Sequence, residues 1–266
     1  MAKKPKWVVE KERGAKAEEA RTVWLFGHHA VRDALVNPRR ERLRLVLTPN
    51  AAEKLSDAIA QSGMTPEIHD PRSFKAPLDP GSVHQGAALE VVPLDWGRVE
   101  DVAPGGPGAR LVLLDRVTDP HNVGAILRSA EVFGAQAVIG PRHHAAPETG
   151  ALAKTASGAL ERQPYLRVRN LSDTILELRA IGWLVLGLDG EAETTIEGAL
   201  DGRRDRPVAL VLGAEGPGLR PRTKESCDAL VGIAAAGDFG SLNVSNAAAV
   251  ALYASLPRAG GGRTPE

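Results

Sequence analysis

The sequence predicts an α/β protein in two parts, a small mixed domain followed by a larger layered one built on a parallel sheet. Continuous apolar runs such as VALVLG (208–213) fit strands buried on both faces, as parallel sheets require. Strand-like and helix-like patterns alternate along both halves. Between the halves, DWGRVEDVAPGGPGAR (95–110) loses periodicity, and Pro104, Gly105, Gly106, Pro107 and Gly108 mark a linker. The expected boundaries are a flexible basic tail (1–20), a first domain (21–93), a linker (94–108), a second domain (109–257) and a short tail (258–266).

In the first part, Trp24, Leu25 and Phe26 precede Ala30, Val31, Ala34 and Leu35 at helical spacing. LRLVLT (43–48) reads as a strand, and AAEKLSDAIAQSG (51–63) as one helix closed by Gly63. A short strand and a Pro-rich loop lead to GAALEVVPL (86–94). In the second part LVLLDRV, NVGAILRSAEVFG, QAVIG, a helix near 151–161 and YLRVRN alternate. They are followed by LSDTILELRAIG, WLVLGLD, VALVLGAE, a short helix, ALVGIA and a final helix over 243–256.

Composition excludes several classes. Of 266 residues, 43% are hydrophobic and 25% charged, which fits a folded chain with a real core and not disorder throughout. The single Cys227 rules out an internal disulfide framework and an all-Cys zinc site. No apolar run approaches the roughly 18 residues of a membrane span, and the charged start MAKKPKWVVEKERGAKAEEA lacks the apolar stretch of a secretory leader. A cytoplasmic protein without a membrane partner is expected. Net charge is zero, yet residues 1–50 carry 12 basic and 6 acidic side chains, while 51–100 carry 4 and 8. The basic start, with Arg39, Arg40, Arg42 and Arg44 beside a strand, suits contact with nucleic-acid phosphates; a solvated tail with charged helix faces is the alternative.

Ligands of open parallel sheets sit outside the carboxyl ends of the strands, and three strands here run into polar or Gly-rich segments. In DRVTDPHNVGAILRSAEVFGA (115–135), Asn122 is placed to cap the next helix; Ile126, Ala130 and Phe133 share one face, and Arg128 points away from it. In LVLGAEGPGLRPRTKESCD (210–228), Gly213, Gly216 and Gly218 bracket Glu215, and glycines there allow close backbone approach to a ligand. The spacing is G-x-x-G-x-G, not the dinucleotide-binding G-x-G-x-x-G. In IAAAGDFGSLNVSNAAAVALYAS (233–255), Ser241-Leu242-Asn243 opens an Ala-rich helix, read either as part of a site or as a capped helix that lets another approach closely.

Taken together, N-V-G-A-I-L-R-S-A-E-V-F-G-A (122–135), L-G-A-E-G-P-G-L (212–219) and S-L-N-V-S (241–245) resemble the three ordered motifs of the SpoU (TrmH-like) RNA 2′-O-methyltransferases of the SPOUT superfamily, over roughly residues 109–256. G-H-H-A-V-R-D-A-L (27–35) and V-H-Q-G (83–86) are similar to the L30e-like RNA-binding domain that precedes it in some members. The layout is most similar to bacterial enzymes that methylate a guanosine ribose in large-subunit rRNA. The resemblance implies a deep trefoil knot, S-adenosylmethionine as cofactor, a homodimer formed through the second domain, and structured RNA as partner. It implies cofactor contacts at Gly213, Ile233 and Leu242, with Gly216, Gly218 and Leu219 in the same loop, and a polar catalytic set of Asn122, Arg128, Glu215, Ser241 and Asn243. Within that set Arg128 would clamp an RNA phosphate and stabilise the developing alkoxide, because a guanidinium stays protonated. Asn122 and Asn243 would orient Arg128 and the ribose, with Glu215 or a phosphate oxygen taking the proton. The chain departs from the family at Ala234-Ala235, where Pro-Met is usual, and at Asn246, where an apolar residue is common.

Other features point elsewhere less well. The pairs His28-His29 and His143-His144 lack the companion ligands of a zinc site, so no metal is expected. Cys227 reads as a small buried hydrophobe, and Trp7, Trp24, Trp96 and Trp183 are too scattered for a stacking platform. Ribose methylation of rRNA leads the readings, with tRNA as alternative substrate and a catalytically silent RNA-binding or ribosome-assembly protein as the reading from another class.

Overall fold

The computed structural model of the chain describes residues 22–79, 81–234, 236 and 242–257; the tails expected at 1–20 and 258–266 lie outside them. The chain divides into two compact units. One comprises the residues up to Asp95 together with Glu148–Lys154, and the other Trp96–Pro147 with the residues from Thr155 on.

The first unit is a four-stranded sheet with short helices: β1 (Val23–Phe26), α1 (His28–Val36), β2 (Arg42–Leu47), α2 (Pro49–Lys54), α3 (Ser56–Ser62), β3 (Glu67–Ile68) and β4 (Ala87–Val91). The strand order is β1-β4-β2-β3, with β4 antiparallel to both neighbours and β2 parallel to β3. Ala30, Val31, Ala34 and Leu35 form the buried stripe of α1, as their spacing predicts. The single helix expected over 51–63 is instead two. Thr48 accepts the Ala51 amide as N-cap and Pro49 opens the first turn, where its missing N–H costs nothing. The chain breaks at Leu55, then restarts and closes at Gly63 in the left-handed region.

Arg39, Arg40, Arg42 and Arg44 are less available to phosphates than their sequence suggests. Arg40 is buried and donates to the Val92 carbonyl, and Arg42 donates to that of Leu35. Arg44 holds Glu67 through two bonds of 2.6 and 2.8 Å, and Arg39 donates to the Asp95 carbonyl.

The second unit comprises α4 (Val99–Val102), β5 (Arg110–Asp115), α5 (Pro120–Val132), β6 (Ala137–Pro141), β7 (Tyr165–Val168), α7 (Leu171–Ala180), β8 (Leu184–Leu188), α8 (Ile196–Ala199), β9 (Val208–Gly213), α9 (Pro221–Ser226), β10 (Ala229–Val231) and α10 (Val244–Ser255). Helix α6 (Gly150–Ala156) runs across the division at 154/155. The six strands form one sheet, β10-β8-β9-β5-β6-β7, parallel at every pairing. Every residue of β5 and β6 is buried, which explains their continuous apolar character. The chain steps outward from β5 to β6 and β7, then returns to β8 and β9 on the other flank. Strands β5 and β9 therefore meet where the winding reverses, the place at which such sheets open a ligand crevice.

The expected linker, 94–108, is largely part of this unit. Ala103 is fully buried, and Trp96, Val99, Val102 and Ala109 pack on the core formed by residues such as Leu111 and Trp183. Gln136 fastens the glycines by accepting from the Gly105 amide and donating to its carbonyl. The apolar residues at 96, 99 and 102 sit three apart, which outweighs the Pro/Gly content that follows them.

One charged residue sits deep in this core. Arg110, 1% exposed at the start of β5, donates to the carbonyls of Ala109, Arg204, Arg206 and Ser255 and to the Ser255 hydroxyl. Burial, aided by the nearby Arg204 charge, lowers its pKa to about 10. Arg204 donates to the Ala254 and Leu256 carbonyls, so two guanidinium groups gather the last carbonyls of α10. Arg110→Met should strand several of these acceptors. At about 1–3 kcal/mol for each orphaned buried group, a loss near 3 kcal/mol or more is expected in chemical denaturation. A loss below about 1 kcal/mol would mean that water replaces the guanidinium.

Candidate functional site

The three motif loops meet at the carboxyl end of the β5–β9 pair. The cap of α5 is not Asn122, the residue the sequence suggests, but Asp119, which accepts the His121 amide at 2.9 Å with Pro120 at the first helical position. Asn122 thereby sits in the first turn, buried, with its side-chain amide turned to the other loops. Its Nδ2 donates to Glu215 Oε1 at 3.2 Å, and its Oδ1 accepts from Asn243 Nδ2 at 2.9 Å. Asn243 Nδ2 also donates to Glu215 Oε1 at 2.6 Å, and the Val244 amide approaches the same oxygen at 3.5 Å. Asn243 is the N-cap of α10, its Oδ1 accepting from the Ser245 amide and hydroxyl.

The result is a closed triangle of two amides and one carboxylate, drawn from motifs 93 and 121 residues apart. Three donors converge on Glu215 Oε1, while Oε2 has no partner among the described residues. The carboxylate is exposed, and the polar cluster presents it as its one uncommitted acceptor.

The glycine loop owes its shape to contacts within itself. A Cβ on Gly213 would lie 2.2 Å from the Gly218 carbonyl carbon and 2.4 Å from the Leu219 nitrogen. Gly213 is thus demanded by the return of its own loop before any ligand is considered. The Gly218 amide donates to the Ala214 carbonyl at 2.9 Å, and Gly216 and Gly218 hold φ of +84° and +66°. A Cβ built on either of these two meets nothing within 4 Å, so their backbone faces open space. Asp115, fully buried at the end of β5 and paired in register with Gly213, accepts from the Arg220 amide at 3.0 Å and from its Nε at 2.7 Å. Both ends of the loop are therefore held by one residue. No local sequence signal links Asp115 to Arg220, because they lie 105 positions apart.

The remaining expected residues fall in different surroundings. Leu242 is exposed and directly precedes Asn243, and Ile233 is half-buried just past the end of β10. Leu219 is buried in the core, which leaves only its backbone for a ligand. Ser241 and Ala235 lie outside the described residues. Arg128 is exposed and has no hydrogen bond or ion pair among the described residues. Six residues beyond Asn122 on α5, it stands about 9 Å along the axis and a third of a turn away. Among the described residues neither asparagine bonds to Arg128; both donate to Glu215. Cys227 is buried, donates to the Thr223 carbonyl at 3.2 Å, and has its thiol pushed up to about 12 by burial, as befits a packing residue.

An open parallel α/β sheet with a polar cluster at its switch point defines a small-ligand-binding enzyme fold, and residues 109–253 match the model of the SpoU rRNA methylase family. The chain belongs to that family. It is 38% identical over 239 residues to the 23S rRNA (guanosine-2′-O-)-methyltransferase RlmB of Photobacterium profundum, covering 87% of this chain and 96% of that protein. It is also 38% identical over 218 residues to an uncharacterized tRNA/rRNA methyltransferase of Mycobacterium sp. (strain KMS), covering 79% of this chain and 68% of the other. Its fold is similar to that of the AdoMet-bound rRNA methyltransferase from Sinorhizobium meliloti, with TM-score 0.72 and 26% identity over 90% of this chain and 88% of that one. Among the described residues, no helix is long and apolar enough to cross a membrane.

Proposed function

We propose that this protein methylates a ribose 2′-hydroxyl on a guanosine of large-subunit rRNA, using S-adenosylmethionine, and that it works in the cytoplasm as a homodimer. The observation that carries this reading is the Glu215 carboxylate, held by Asn122 and Asn243 with one oxygen left over. The residues present suit the cofactor. Gly216 and Gly218 offer open backbone, Leu242 an exposed apolar side chain, and Glu215 a negative charge toward a sulfonium. We assign Gly213, Gly216, Gly218, Leu219, Ile233 and Leu242 to cofactor contact, with Ser241 as an auxiliary polar group. The second unit is proposed as a trefoil-knotted module on the strength of its family membership over residues 109–253, and the first as an L30e-like RNA-holding module on the resemblance at residues 27–35 and 83–86.

When bound, the cofactor supplies an electrophilic methyl on positively charged sulfur. A ribose oxygen would take that methyl with the sulfur as leaving group, and the hydroxyl proton would need an acceptor. Glu215 Oε2 is the acceptor in reach of the cluster, and the two asparagines keep the carboxylate from rotating away. Alignment of oxygen, carbon and sulfur is the main demand on the site. Arg128 binds an RNA phosphate and stabilises the developing alkoxide. Ribose-methylation mapping of rRNA and tRNA from cells with and without the protein tests the substrate. One guanosine in large-subunit rRNA should lose its methyl group without the protein, and a change confined to tRNA would overturn the rRNA assignment.

The homodimer reading rests on an apolar face of the second unit. Val132 is 72% and Tyr253 69% exposed, Val250 is also exposed, and the Phe133 and Tyr253 rings lie 6.1 Å apart. Within the run 247–251 of α10, Ala248 and Ala251 are buried in the chain, Ala247 and Ala249 are half-buried, and Val250 is exposed. The protein should sediment as a dimer at micromolar concentration, and Val132→Glu/Tyr253→Lys should shift it to monomer. A monomeric wild type would refute dimerisation.

A further inference from the structure

A cleft of about 360 Å³ opens beside the carboxyl ends of β6 and β7, in the second unit. Pro141, His143, His144, Arg169, Arg220 and Arg222 line it, with the first turn of α7. Its character is cationic. Arg220 is held by the buried Asp115, and Arg222 by the exposed Asp173 at 3.0 Å. Arg169, His143 and His144 have no side-chain partner among the described residues. The ten-residue helix α7, capped by Asn170, directs its positive end here. His144 holds φ of +62°, a conformation sparsely populated for a non-glycine residue.

We propose that this cleft binds a phosphodiester of the RNA strand, from a nucleotide flanking the methylated one. The inference rests on the function proposed above and adds a second anchoring point to it. Three guanidinium groups around one opening match phosphate geometry better than they match any apolar or cationic ligand. The opening is of a size to admit a nucleotide-sized group. Arg220 connects it to the polar cluster: its backbone ends the glycine loop on Asp115, and its side chain lines the cleft. The cleft lies two strand spacings, about 10 Å, from the end of β5, close enough for a neighbouring nucleotide of the same strand. A phosphate seated there fixes the register of the RNA against the site.

The test uses the full-length protein, unmodified large-subunit rRNA transcript as the probe, and binding measured across a range of salt. Arg169→Gln/Arg222→Gln should weaken RNA binding about tenfold and flatten the log–log salt slope by about 1–2, since each lost phosphate contact removes about 0.7–0.9. The KM for RNA should rise more than kcat falls, and the affinity for S-adenosylmethionine should not change. Arg203→Gln/Arg206→Gln removes the same charge near the amino-terminal edge of the sheet and should leave affinity and slope as in wild type. The single variant Arg169→Gln, which removes no internal partner, should give about half of the slope change and guards against misfolding of the pair. Equal losses in the cleft and control variants would reduce the effect to net charge and overturn the subsite, as would unchanged affinity and slope in the cleft variants. Failure of the wild-type protein to bind the transcript would instead refute the rRNA function itself.

Discussion

Gly213→Ala, a change of one methyl group, should open the glycine loop even in the cofactor-free protein. The added carbon would sit 2.2 Å from the Gly218 carbonyl carbon and 2.5 Å from its oxygen, and backbone cannot yield as a side chain tip does. The Ala214–Gly218 bridge and the Arg220–Asp115 clasp both depend on that close return. Overpacking of this kind costs about 1–3 kcal/mol, so the ligand-free protein should melt measurably lower. Displacement of Glu215 should weaken S-adenosylmethionine binding by about ten- to a hundredfold, with RNA affinity affected less. Gly213→Val should be worse on both counts. If ligand-free stability is unchanged while cofactor affinity falls, the glycine is required by the ligand and not by the loop. If neither changes, the cofactor pocket lies elsewhere.

Arg128→Ala should reduce methyl transfer by about 10²–10³ in rate, the usual effect of removing one donor from a developing anion. The side chain is exposed and has no partner among the described residues, so folding should survive and cofactor affinity should stay near wild type. Single-turnover measurement on an rRNA substrate separates this from a binding defect, because loss of a phosphate contact alone would raise KM and spare the chemical step. Turnover near wild type would remove Arg128 from the reaction and leave the Asn122–Glu215–Asn243 cluster as the whole catalytic set.

The glycine loop and the first motif illustrate how far the sequence can be read. Gly213, Gly216 and Gly218 are recognisable as backbone-determined positions because no other residue type explains three glycines after an apolar strand. That Gly213 serves the return of the chain, and the other two a left-handed turn, requires the position of Gly218 in space. Capping by Asp119 in place of Asn122 is legible in retrospect, since Pro120 directly after it marks the first helical position. The packing of the supposed linker is likewise announced by Trp96, Val99 and Val102, three residues apart, but the Pro/Gly cluster behind them hides it. Arg110 has no such signal: its partners are carbonyl groups, which every residue carries.

The sequence by itself determined most strands and helices, though not the break at Leu55 or helix α4 in the expected linker, and it determined the parallel character of the larger sheet and the three loops that would hold the chemistry. Those follow from local periodicity and from residue types that only certain backbone conformations or burial states accept. Tertiary structure alone decided which polar atoms meet. Asn122, Glu215 and Asn243 come from loops far apart in the chain, and Asp115 finds Arg220 only after β5 and β9 have paired. Their alignment depends on strand register and on the turn each loop takes. A hydrogen bond fades within a fraction of an ångström and a few tens of degrees, a precision that residue order does not encode locally and only the packed sheet supplies.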